Sequence, residues 1–167
     1  MNEVFKEHLV KKERTPKDTF LRFGVVFLTV LAALTGLLII PYALLAAVAL
    51  GILAYFVMQN TDLEYEYALV EKSLDIDKIM AKTRRKHLKS YDLSEADLIA
   101  PLTSSRMAYY NNNGQLKTVD YSSGSGNGTV FAIIIKDSGE TARVLFEPDA
   151  PMAEAMQRML PSKCFLS

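Results

Sequence analysis

The chain has 167 residues, half of them apolar, with 19 Lys and Arg against 19 Asp and Glu. That length allows one soluble domain of ordinary size, and the even charge balance excludes a protein that works by coating nucleic acid, a task that needs excess cations to neutralise phosphates. Cys164 is the only cysteine, so an intramolecular disulfide framework and a multi-thiolate metal site are both excluded.

Residues 1–15 form a basic tail in which Val4, Phe5, His8 and Leu9 share one helical face, with Lys6, Lys11 and Lys12 elsewhere. The spacing fits a short helix lying on the inner membrane leaflet, and a frayed tail is the alternative. From Phe23 to Met58 the chain then runs 36 residues without a charged side chain. A straight helix of that length would rise about 54 Å against a hydrocarbon core of about 30 Å, which is too long for one crossing. Pro41, in the middle of the run, lacks a backbone donor and breaks the helix. The segment 16–60 therefore reads as a transmembrane hairpin, with helix one over about 16–40 and helix two from Pro41 to about Gln59. Thr15-Pro16-Lys17-Asp18 supplies a cap, a first-turn proline and an acid for the positive end of the dipole, while Lys17 and Arg22 can snorkel toward headgroups.

Gly36 and Gly51, with Ala32, Ala33, Ala46 and Ala47, offer small surfaces on which the paired helices can approach closely. No ionisable residue lies inside either span, so the usual marker of a proton relay or ion path is missing. Six cations (Lys6, Lys11, Lys12, Arg14, Lys17 and Arg22) precede the first crossing, whereas the far turn is uncharged. By the positive-inside rule the N-terminus stays in the cytoplasm, and two crossings return the C-terminal part to the same side of the cell membrane.

Residues 61–167 number 107 and carry 13 cations and 15 anions. Leu63–Leu69 alternates apolar and charged side chains with period two and reads as a strand. After Glu71-Lys72-Ser73, the run Leu74–Met80 follows at hairpin distance, so the pair is expected to be antiparallel. The basic stretch Lys82–Lys89 and the short apolar piece Ala96–Ala100 suggest a second turn and further short strands. Between Pro101 and Gly128 apolar content falls, and Asn111-Asn112-Asn113-Gly114 and Ser122–Gly128 mark turns or a mobile loop. Thr129–Lys136 and Thr141–Glu147 bracket Asp137-Ser138-Gly139-Glu140 as a hairpin. Asp149 can cap a closing helix with Pro151 in its first turn, apolar Met152, Met156, Met159 and Leu160 at helical spacing, and Pro161 as its stop. The expected class is α+β: a transmembrane helical hairpin, then an antiparallel β-rich domain of one sheet capped by a C-terminal helix.

The strand order, the turn Glu71-Lys72-Ser73 before Leu74-Asp75-Ile76, the basic segment Arg84-Arg85-Lys86 and the closing Phe146-Glu147-Pro148-Asp149 resemble bacterial pleckstrin-homology-like domains. The whole chain also resembles an uncharacterised family of small bacterial membrane proteins in which two transmembrane helices precede such a cytoplasmic domain. The resemblance implies a fold and a placement and carries no catalytic signature.

Arg84, Arg85, Lys86 and Lys89 could hold anionic lipid headgroups or a partner at about 1 kcal/mol per cation. The bland reading is the solvated face of a strand, neutralised by Asp75, Asp77 and Asp92. Gly124-Ser125-Gly126-Asn127-Gly128 suggests a phosphate cradle, but a strand follows where a helix N-terminus is needed. Glu64 with Glu66, and Asp75 with Asp77, share strand faces without the ligand count that a hard metal wants. His8 and His87 stand far apart in basic surroundings, and no triad has a recognisable setting. These observations point to a non-enzymatic interaction module without cofactor or metal, held in the bilayer, that docks protein partners, its own copies or the inner-leaflet surface. The alternative is an accessory subunit of a membrane transport or envelope-assembly complex that binds through the hairpin at Gly36 and Gly51.

Overall fold

The computed structural model describes residues 5–137 and 139–167, and the chain divides into two compact units. One is the helix pair of residues 13–63 with the turn at 80–84; the other is β-rich and combines the N-terminal strand with residues 64–79 and 85–167.

In the helical unit, α1 spans Pro16–Leu38 and α2 spans Ala43–Thr61. Thr15 and Asp18 form a reciprocal capping box at the start of α1, which satisfies two backbone donors that the first turn leaves open. At 23 and 19 residues, both helices are long and apolar enough to cross a membrane. The reversal is tight. Ile39 and Ile40 both donate to the Thr35 carbonyl, and the Pro41 carbonyl accepts from Leu44, so the proline sits where its missing donor does no harm. Helix two runs to Thr61 rather than Gln59 because Arg22 holds its end: the guanidinium donates to the Met58 carbonyl at 2.7 Å and to Thr61 Oγ1. Arg14 pairs with Asp62 at 3.3 Å.

The β-rich unit contains two four-stranded sheets rather than the single sheet expected. The first has the order β1 (Phe5–Lys11), β2 (Leu63–Val70), β3 (Ser73–Met80), β4 (Arg84–Asp92). The second contains β5 (Leu98–Pro101), β6 (Lys117–Asp120), β7 (Phe131–Asp137) and β8 (Glu140–Phe146), in the order β5-β7-β8-β6. β7 and β8 are the antiparallel hairpin expected, and β6 joins β8 in parallel.

The N-terminal segment corrects the sequence reading. Phe5–Lys11 is a strand, not a helix on the leaflet, and it pairs antiparallel with β2 from Phe5↔Val70 to Lys11↔Glu64. The same residues also have a period of two: Val10 is buried and His8 half-buried, while Phe5, Glu7, Leu9 and Lys11 are exposed. Seven residues are too few to hold a helix in isolation, whereas a strand gains a ladder bond for each pairing offered by the edge of β2. Val4 of the helical reading lies outside the described residues.

The main core takes Tyr67, Leu69, Leu74 and Ile76 from the first sheet and Ile133, Val144 and Phe146 from the second. Met152 and Met156 join it from α4 (Ala150–Met159), whose N-cap Asp149 accepts from the Met152 amide. β7 is buried on both faces, which explains its unbroken apolar run, because Ala132 and Ile134 form a second small core with Ala100 and Met107. The low-complexity stretch after Pro101 covers this back face. It is ordered as two short helical turns, Ser105–Met107 and Ala108–Asn111, followed by β6.

Candidate functional site

The four cations singled out on β4 do not make one free patch. Arg85 Nε lies 2.5 Å from Asp77 Oδ2, and its Nη2 lies 2.9 Å from Glu66 Oε2, close enough for an ion pair though not aligned for a hydrogen bond. His87 Nδ1 reaches the other Asp77 oxygen at 2.7 Å. The two carboxylates are 14 % exposed while Arg85 is 55 % exposed, so the anions form the floor and the cations lean over them. Burial pushes the Asp77 carboxyl up, but hydrogen bonds from Arg85 and His87, with their charges, outweigh it and hold the group below its ordinary value. Alternation along β2 and β3 created this floor by pointing Glu66 and Asp77 to the same side.

Lys89 is held differently, by the carboxylate of Asp137, with its ammonium 5.4 Å from the centre of the Tyr91 ring. Arg84 and Lys86 are exposed, and among the described residues no carboxylate pairs with either. Of the balancing anions suggested by the sequence, Asp77 takes part. Asp92 instead caps the turn at Ser94, and hydrogen bonds from the Ser94 hydroxyl and amide hold its carboxyl low.

The two helix-pair glycines differ sharply. A Cβ on Gly36 would stand 2.7 Å from the Leu44 backbone nitrogen, a clash that a side chain cannot relieve. Gly51 has only Thr29 Cγ2 nearby, at 3.9 Å, and so has room for a small side chain. Gly36 thus permits the close approach of α1 to α2 next to the turn, whereas Gly51 is not needed for it.

Sequence reasoning missed Glu147. This carboxylate is buried, accepts from the Ser123 hydroxyl at 2.9 Å, and presses on Gly128, where an added Cβ would meet its Oε2 at 3.1 Å. The Ser125 amide in turn donates to Ser123 Oγ, and Gly124 and Gly126 take positive φ. The glycine-serine segment is therefore a folded connection fastened to a buried carboxylate. Beneath it, the Tyr67 hydroxyl donates to the Tyr121 carbonyl at 2.6 Å, and burial pushes its pKa up. Period two turns Phe146 inward and would turn Glu147 outward, so no local signal announced its burial.

Cys164 is buried and its thiol is pushed up to about 11 by burial, which keeps it protonated and unreactive at neutral pH. Among the described residues no group of three or more His, Cys, Asp or Glu is placed to hold a metal ion. A family model described as Bacterial PH-like domain (DUF6106) matches residues 2–166. No curated protein and no solved structure matches the chain.

Proposed function

Because the chain belongs to the bacterial PH-like domain family, we propose that it is a membrane-anchored, non-catalytic interaction module whose β-rich domain docks protein partners or the inner-leaflet surface. The observation that carries this reading is the pairing of β1 with β2. These neighbouring strands are separated in sequence by the whole helix pair, so the hairpin is an insertion in a β-turn position. A chain that leaves a folded sheet through lipid and must return to the adjacent strand has to cross an even number of times. Two apolar helices and the cations ahead of them then support a two-pass protein with both ends in the cytoplasm.

The docking element in this reading is the outward side of the first sheet, where Phe5 and Leu9 on the edge strand β1 and Val70 on β2 are exposed. Arg84 and Lys86 are the basic residues suited to touch headgroups, since Arg85 and Lys89 are engaged by carboxylates. The test is affinity capture of full-length protein from native membranes, with Phe5→Glu and Leu9→Glu together as the comparison. Loss of the co-purified partners in that variant is expected, and their full retention rejects the surface.

A second reading, an accessory subunit bound through the hairpin, draws on the open surroundings of Gly51. Gly51→Leu discriminates: it should disrupt a complex formed through the helices while leaving the helix pair intact. Gly36→Leu cannot serve, because it breaks the hairpin itself.

A further inference from the structure

The helical unit contains an open cavity of about 350 Å³ that the reading above does not use. It is lined by the apolar side chains of Phe23, Val26 and Met58 and by Arg14 and Arg22, with Thr19 between the two cations in sequence. Phe23 is the first residue of the uncharged run, so the cavity lies where charged side chains give way to apolar ones along α1. Two guanidinium groups offer ten N–H donors between them, and the bonds described to Asp62, Thr61 and Met58 use three. Arg14 pairs with Asp62, and the residues that line the cavity include two cations and no carboxylate. A ligand that complements this arrangement needs an anionic oxyacid at one end and a hydrocarbon body at the other.

We propose that this cavity binds one anionic phospholipid, its phosphodiester on Arg14 and Arg22 and the start of an acyl chain on Phe23, Val26 and Met58. Guanidinium groups suit the task because their planar fork matches two phosphate oxygens at once. The inference rests on the membrane-spanning reading and adds a defined lipid site to it. It assigns lipid recognition to residues of the helix pair and not to the β4 cations.

The test uses the full chain in detergent micelles with equal phosphatidylglycerol and phosphatidylcholine, with retained lipid counted by native mass spectrometry. The expected result is one phosphatidylglycerol retained in preference to phosphatidylcholine. Arg14→Gln should weaken retention about fivefold, the effect of one cation at a lipid phosphate. Arg14 also pairs with Asp62, so Val26→Trp provides an independent arm that fills the cavity from its apolar lining and touches no hydrogen bond. It should abolish retention while helix content stays unchanged. Equal retention of both lipids, or a Val26→Trp protein that keeps phosphatidylglycerol, overturns the proposal, as does displacement of the lipid by glycerol phosphate at similar concentration. Extraction of membranes at alkaline pH separates the two layers of the argument. A chain released from the membrane rejects the spanning reading, whereas one that stays with the membrane but shows no lipid preference rejects only the site.

Discussion

The two units of this molecule place their apolar residues in opposite ways. The β-rich unit turns its apolar residues inward, so that Tyr67, Leu74, Ile133 and Phe146 have no exposed surface. The helical unit turns them outward. No residue of α2 is buried, only Val25 and Gly36 of α1 are, and Phe20, Leu38 and Leu45 stand more than 70 % exposed. In water that exposure is untenable over two helices, and in lipid it carries no penalty. The lesson is that composition averaged over the chain describes neither unit.

The contrast breaks most completely if the helices can be removed. Replacement of residues 12–63 by Asn-Gly would join Lys11 to Glu64 through a two-residue β-turn, the tightest link their register permits. The product is expected to be a soluble, cooperatively folding β-rich protein, checked by gel filtration and thermal melting without detergent. An aggregated product would mean that the sheet depends on the helices.

Next in size are matched truncations. Phe146→Ala removes a fully buried ring that meets Tyr67 and Phe131 edge to face, and should lower the stability of the β-rich unit by about 3–5 kcal/mol. Phe27→Ala removes a ring that is 66 % exposed on α1, and should change that same transition by less than about 0.5 kcal/mol. Chemical denaturation in detergent, followed by tyrosine fluorescence, measures both.

Acid sharpens the picture of the outward sheet face. The Asp77 carboxyl is held below its ordinary value of 3.8, so its contribution to stability is fully present above that pH and fades as the pH falls through the lower folded value. Asp77→Asn should flatten the acid limb of the stability profile below about pH 4 and leave its shape near neutrality unchanged. An unaltered acid limb would show that the Arg85 and His87 contacts contribute nothing.

A modest gain is expected at the turn between β3 and β4. Ala81 and Lys82 both take positive φ, 48° and 57°, in a position that favours Asn-Gly. Ala81→Asn with Lys82→Gly should stabilise the protein by about 1 kcal/mol by relieving left-handed strain, read as a rise in melting temperature.

Features with a local cause were legible in the sequence. The uncharged run with Pro41 defined the helix pair, Thr15 and Asp149 marked the two caps, and the β7–β8 hairpin stood out between its turn residues. What escaped depended on distant partners. Phe5–Lys11 suits either period when read alone, and only β2, more than fifty residues away, makes it a strand. β6 is four residues long and lies in a stretch of low apolar content, so nothing local announces that it will pair in parallel with β8. At the candidate site, residue types placed cations on β4 correctly, but not which would be taken up by Glu66, Asp77 and Asp137. Glu147 escaped because a buried carboxylate is recognisable only from the hydroxyl that satisfies it.

The proposal that the hairpin inserted between the paired strands crosses a membrane is tested most directly by the sidedness of three positions in intact cells. Single cysteines at Glu7, Tyr42 and Ser167, each in a chain with Cys164→Ala, can be exposed to a membrane-impermeant maleimide. Labelling at Tyr42 alone is the expected result, with Glu7 and Ser167 reacting only after the cells are opened. Labelling of Glu7 or Ser167 from outside, or protection of all three, would contradict a hairpin that leaves and re-enters the same sheet.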